Sequence, residues 1–151
     1  LDVSRFVEKR KDGHTIRFDE ATSERMAGIR RADTKPELIV RRILHALGHR
    51  YRVRNRDLPG SPDIANRTRK WAVFVHGCYW HRHGCKATTT PKRNRAFWEA
   101  KFQRNVERDA ERAAALRELG YAVVTVWECE TKRDLAELSD RLAETLPTER
   151  R

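Results

Sequence analysis

The sequence predicts an α/β domain, a mixed sheet with helices on its faces. Three observations predict it. Residues 71–75 (WAVFV) form an unbroken apolar run of strand length. A Val-rich run at 121–127 follows a long helical pattern over 94–119. Shorter helical patterns open and close this region, so the order reads α, β, β, β, α, β, α.

Each element has a local reason. Residues 1–21 are polar and charged and read as a flexible arm, followed by a short basic helical turn at 22–32. Thr34 is placed to cap a helix, with Glu37 three residues on returning the bond to the cap backbone. Leu38, Ile39, Ile43, Ala46 and Leu47 then follow at helical spacing, and Gly48 supplies the stop, which predicts a helix over 35–47. Residues 50–54 alternate polar and apolar, as an exposed strand does. The prolines at 59 and 62 mark a turn, 63–65 starts a short strand, and 67–70 is its hairpin turn into the buried strand 71–75. The helix over 94–119 shows the stripe Trp98, Phe102, Val106, Asp109, Ala113 and Leu116, ended by Gly120. After strand 121–127, residues 131–134 begin a last helix carrying Leu135, Leu138 and Leu142. One domain over 22–147 is expected, with a tail at 148–151.

Composition narrows the function. The 151 residues carry 33 Lys+Arg against 22 Asp+Glu, a formal net charge of +11. Such a balance points to a polyanionic partner, nucleic acid first, because phosphate contacts by Lys and Arg release counterions; an acidic protein partner is the alternative. The longest apolar run has five residues, whereas a membrane span needs about 20, so no membrane association is expected. The N-terminal stretch lacks the apolar segment of a secretory signal, and a cytoplasmic location is expected. Three cysteines, 78, 85 and 129, do not make a closed disulfide set; reduced thiols or metal ligation is the expectation.

The chemistry concentrates in 76–93, which has no core pattern. Cys78 and Cys85 with one of His76, His81 and His83 supply three zinc-type ligands, and Cys129, just past strand 121–127, is the available fourth. A closed site of this kind is structural and would staple a loop too polar to fold alone. Asp63, after Pro62 at a turn-to-strand junction, suits Mg²⁺ beside a phosphodiester. Asp109 falls on an apolar helical stripe and so needs a partner. Glu37 reads as a capping residue from helix physics. A histidine left over from zinc can act as general base or steady a phosphate. Tyr79, Trp80 and Trp98 stand among cations, where they either stack on bases or form a hydrophobic lid over the zinc loop; Trp71 and Trp127 read as core.

Taken together, several collinear stretches resemble the very-short-patch repair (Vsr) endonucleases, which nick one DNA strand beside a T:G mismatch. They are Ser23-Glu-Arg-Met26, Asp33-Thr34-Lys-Pro-Glu37, Leu58-Pro-Gly-x-Pro-Asp63, Val73-Phe-Val-His-Gly-Cys-Tyr-Trp-His81, Phe97-Trp98, Asn105-Val-Glu-Arg-Asp109 and Val126-Trp-Glu-Cys129. The resemblance runs from about Thr22 to Cys129. It implies a restriction-endonuclease-like fold, Asp63 as the main Mg²⁺ carboxylate, His81 as general base, His76 on phosphate or water, and Asp109 orienting a catalytic histidine. It makes Glu37 an active-site acid working through water on the metal, against the capping expectation. It assigns Cys78, His83, Cys85 and Cys129 to structural Zn²⁺. It makes Tyr79, Trp80 and Trp98 the wedge at the mismatch, with Met26 entering from the other groove. The substrate would be mismatched double-stranded DNA in a bacterial cytoplasm, the enzyme a monomer, and mismatch-repair proteins its partners.

The sequence departs from the pattern in places. Strand 71–76 lacks the acid and lysine of the broader nuclease fold, as Vsr does. Tyr79 stands where the family often has Phe, and Arg82 replaces another possible histidine. Residues 1–21 extend beyond the family core. Two other functions compete: a restriction or defence nuclease of the same fold without a mismatch requirement, and a zinc-stabilised DNA-binding module without catalysis.

Overall fold

The computed structural model describes residues 33–86 and 88–148, with two short strands before them, β1 (Glu8–Lys9) and β2 (Thr15–Ile16), which pair antiparallel. The expected helical turn at 22–32, Met26 within it, and residues 149–151 lie outside the described residues.

Residues 34–151 form a unit of their own. Helix α1 spans Lys35–Ala46, and Thr34 Oγ1 accepts from the Glu37 amide at 3.4 Å, as the capping pattern predicts. Its buried side differs from the expected stripe. Val40 and Leu44 are fully buried, whereas Leu38 is 40% exposed. The displacement also carries Glu37 inward, to 5% exposure.

The sheet holds four strands in the order β3 (Arg52–Val53), β4 (Ile64–Asn66), β5 (Trp71–His76) and β6 (Ala122–Trp127). The first three run antiparallel, and β5 and β6 run parallel from Trp71↔Ala122 to His76↔Trp127. A parallel pair needs a crossover, and α2 (Arg95–Glu118) provides it. A 3₁₀ turn, Glu128–Lys132, then leads to α3 (Leu135–Thr145), capped by Asp134.

Both faces of β5 are covered, which explains its unbroken apolar run. Trp71 and Val73 pack with Val40 and Leu44 of α1 and Leu138 and Leu142 of α3. Ala72 and Phe74 face the other way, toward Leu116 and Tyr121. Successive side chains alternate, so the next residue on the α2 side is His76. The period of two in β5 therefore delivers a histidine to the α2 face at the strand's C-terminal end.

Helix α2 packs through its two ends. Phe97, Trp98 and Phe102 are buried near its start and Leu116 near its end. Val106, expected on the stripe, is 40% exposed. The middle of the helix spans the polar loop after β5 rather than core, so Asn105 and Asp109 meet polar partners there.

Candidate active site and metal centre

Two adjacent clusters occupy the C-terminal end of β5. The first gathers His76, His81 and Asp109. After His76 the chain turns back sharply, with His81 N donating to Gly77 O at 3.2 Å and His83 N to Cys78 O at 3.1 Å. This turn lays the His81 ring parallel to His76, with centroids 3.9 Å apart and planes 8° apart. His81 Nδ1 lies 2.6 Å from Asp109 Oδ2, and His76 Nδ1 lies 4.0 Å from the same oxygen. A carboxylate facing Nδ1 accepts a hydrogen bond from its N–H, which leaves His81 Nε2 with its lone pair.

Electrostatics separates the two rings. Burial, helped by the neighbouring His81 and Arg112, pushes His76 down to about 4, so it is neutral at ordinary pH. Burial alone would raise Asp109, but the His81 hydrogen bond first, and the histidines and Arg112 around it, outweigh that and hold the carboxyl below its usual range.

Asp63 and Glu37 stand beside this pair. Asp63 precedes β4, and its Oδ2 accepts from the Val75 amide at 2.7 Å, which ties it to β5. Burial first, then the Glu37 charge, pushes Asp63 up to about 6, against the pull of the Val75 amide, His81 and Arg41. Glu37 bonds Arg41 at 3.3 Å. The Glu37 charge opposes ionisation of Asp63, and a hard divalent cation with oxygen ligands relieves that repulsion. The residues thus fit Mg²⁺ chemically.

The second cluster is Cys78, His83, Cys85 and Cys129, whose ligand atoms all lie within 4.8 Å of one another. Cys129 comes from the 3₁₀ turn after β6, its Sγ 3.4 Å from His83 Nδ1, and its amide donates to Cys78 Sγ at 3.4 Å. Of the three candidate histidines, His83 joins the thiols, while His76 and His81 go to the acidic side. Burial pushes the Cys78 thiol up to about 11, so a thiolate there needs a cation beside it. Three sulfurs and one imidazole at this spacing are the donors zinc takes in closed, tetrahedral sites. The cluster could bind a metal ion of that class.

Trp127 joins the clusters: its ring stacks on His83 at 4.4 Å and meets His76 edge-on at 5.5 Å. It was expected in the core and instead lies half-buried between them.

The aromatic residues form a patch on the start of α2. Trp98 and Phe102 are buried at its base, with centroids 5.9 Å apart. Tyr79 and Trp80 are half-exposed above them, Tyr79 5.3 Å from Phe102 and Trp80 6.0 Å from Trp98. Asn105 Nδ2 donates to Trp80 O at 3.1 Å and fixes the loop to the helix. Arg82 lies 4.2 Å over the Phe102 ring and donates to Thr89 O at 2.8 Å and Thr90 Oγ1 at 2.7 Å. Asn105, Arg82 and Arg41 carried no role in the sequence reading. The helical offset of four between Asn105 and Asp109, within one of the stretches that resemble the family, is the signal that placed Asn105 on the site's side.

Comparison with known proteins bears on this geometry. The family model described as DNA mismatch endonuclease Vsr matches residues 16–87. A type II nicking enzyme, V.XorIIP of Xanthomonas oryzae pv. oryzae, is 43% identical over 121 residues, covering 80% of this chain and 88% of its own. DNA mismatch endonuclease Vsr of Escherichia coli is 39% identical over 112 residues, 74% of this chain and 72% of its own. A further nicking enzyme, V.NmeAIP of Neisseria meningitidis, is 42% identical over 107 residues, 71% of this chain and 76% of its own.

Proposed function

The chain belongs to the Vsr family and is a DNA endonuclease, and from that premise we propose that it nicks one strand of duplex DNA beside a T:G mismatch, with Mg²⁺ as cofactor. The observation that carries this reading is the His81–Asp109 contact of 2.6 Å beside the paired carboxylates Asp63 and Glu37. The sheet with α1 and α3 on one face and α2 on the other supports a restriction-endonuclease-like fold.

The residues divide the work. Asp63 and Glu37 would hold Mg²⁺, which when bound would supply positive charge to polarise the scissile phosphate. His81 accepts the proton of the attacking water at Nε2, and Asp109 holds its ring and stabilises the imidazolium that forms. His76 stays neutral, because a second charge 3.9 Å away would repel the first. It therefore offers a hydrogen bond to phosphate or water. Cys78, His83, Cys85 and Cys129 would hold a structural Zn²⁺, which would fix the loop carrying His81.

Tyr79, Trp80 and Trp98 form the wedge, Trp98 backing the two half-exposed rings from beneath. Met26 is assigned to the other groove. Unstacking costs least at a mismatch, which favours T:G over paired steps. The enzyme works as a monomer on bacterial cytoplasmic DNA, with mismatch-repair proteins as partners.

A second reading has its own support. Several of the relatives are type II nicking enzymes by name, which favours a nuclease attached to restriction and acting without a mismatch. A binding module without catalysis is set aside by membership in an endonuclease family. The chemistry is tested on an end-labelled T:G duplex with wild type and Asp63→Asn, with and without Mg²⁺. A nick made only by wild type with Mg²⁺ is expected; a nick of equal rate by Asp63→Asn removes the metal role of Asp63.

A further inference from the structure

The turn that leads into Asp63 presses against α2 at one residue. Gly60 has φ +74°, and a Cβ built there would lie 2.7 Å from Arg112 Cβ, 2.9 Å from Cδ and 3.0 Å from Cγ. Only glycine allows that approach. The contact holds the aliphatic stem of Arg112 against the turn, three residues before Asp63. On the helix, Arg112 follows Asp109 by three positions, so the two share a face. Its charge acts on both His76 and Asp109. The residue is nonetheless exposed.

The charge balance of the site gives this position a purpose. Glu37, Asp63 and Asp109 are acidic. A DNA strand brought here needs positive charge to offset these carboxylates. Arg41, whose side chain is 16% exposed, is bonded to Glu37. Arg112 is the exposed arginine beside the histidine pair, and a guanidinium grips phosphate oxygens in bidentate fashion. A stem already held by Gly60 loses less freedom on binding.

We infer that Arg112 binds the DNA backbone phosphate next to the cut and seats that strand against the stacked pair His76 and His81. This rests on the endonuclease reading but not on mismatch preference. The test measures the affinity of a T:G duplex and of its matched counterpart against salt, without added Mg²⁺, for wild type, Arg112→Gln and Arg117→Gln. Arg117, in the last turn of α2, is the exposed control. Losing one phosphate contact lowers the slope of log K against log salt by about 0.9. Arg112→Gln is expected to show that drop on both duplexes, with KM for nicking raised about tenfold and the melting temperature unchanged. Arg117→Gln should match wild type. An unchanged slope for Arg112→Gln, or an equal drop for Arg117→Gln, overturns the inference. Failure of T:G preference alone shows as equal affinity and nicking of the two duplexes, and leaves it standing.

Discussion

His81 Nδ1 and Asp109 Oδ2 meet at 2.6 Å, although one comes from a tight loop after β5 and the other from the middle of a helix 28 residues later. The contact engages Nδ1 of His81 and leaves Nε2 for the proposed proton transfer. Asp109→Asn would present an amide to Nδ1 and lose control of the tautomer. The expected result is a kcat lower by about 10²- to 10⁴-fold, with KM little changed, in single-turnover nicking. His81→Gln should cost about as much, and the double variant no more than the worse single one, since the two act as a unit.

A pH prediction follows from Asp63, whose carboxyl stands near 6. A folded value above the unfolded one means the fold favours the protonated form. That stability is fully present below the unfolded value of 3.8 and is lost as pH rises through about 6. Without added Mg²⁺, the melting temperature of Asp63→Asn should therefore gain on wild type between pH 5 and pH 7.5. Saturating Mg²⁺ should then raise wild type at pH 7.5 and leave the variant unmoved. A gap independent of pH would contradict the assignment.

His49 provides the opposite slope. It is 5% exposed, packs edge-on against Trp71 at 5.6 Å, and burial followed by the Arg69 charge lowers its value. A base held neutral adds stability above its unfolded value near 6.5, and that stability is lost as pH falls below it. His49→Phe is expected to flatten the acid-side loss of melting temperature between pH 6.5 and 5, read by circular dichroism.

The elements legible in the sequence were those with a strong local cause. Thr34 capped its helix, the 67–70 turn joined two strands, and 71–75 was central because both its faces are covered. The cluster of Cys78, Cys85 and Cys129 was readable because thiols in a polar loop have few other uses and the strand before Cys129 could deliver it. The choice of His83 over His76 and His81 was not readable from spacing, because it depends on how the loop turns back through Gly77 and Cys78. The buried side of α1 was misread because Leu38 looks like core, while tertiary packing placed Val40 and Leu44 there and turned Glu37 inward. The stripe of α2 failed at Val106 for a related reason: that stretch of helix covers polar chemistry rather than a core. Arg112 had no signal at all, since its position depends on contact with Gly60, 52 residues away.

The metal centre should be measurable directly. Purified protein is expected to carry about one equivalent of Zn²⁺ per chain, and Cys129→Ser should lose both the metal and the cooperative melt. Metal-free protein with an undiminished melting temperature would sink the assignment.

The aromatic patch carries the mismatch claim at the level of residues. Trp80→Ala should slow nicking of a T:G duplex by about 5- to 150-fold, since base–aromatic stacking is worth about 1–3 kcal/mol. Asn105→Ala, which frees the Trp80 carbonyl, should move in the same direction by less. Fluorescence of 2-aminopurine beside the mismatch would report whether unstacking is lost with the rate.

The most direct measurement is nicking of two duplexes in Mg²⁺, identical except that one holds a T:G mismatch, across several flanking sequences. A single-strand nick confined to the mismatched duplex is the predicted result. Equal cleavage of the matched duplex would contradict mismatch recognition and leave a nicking nuclease of the restriction type.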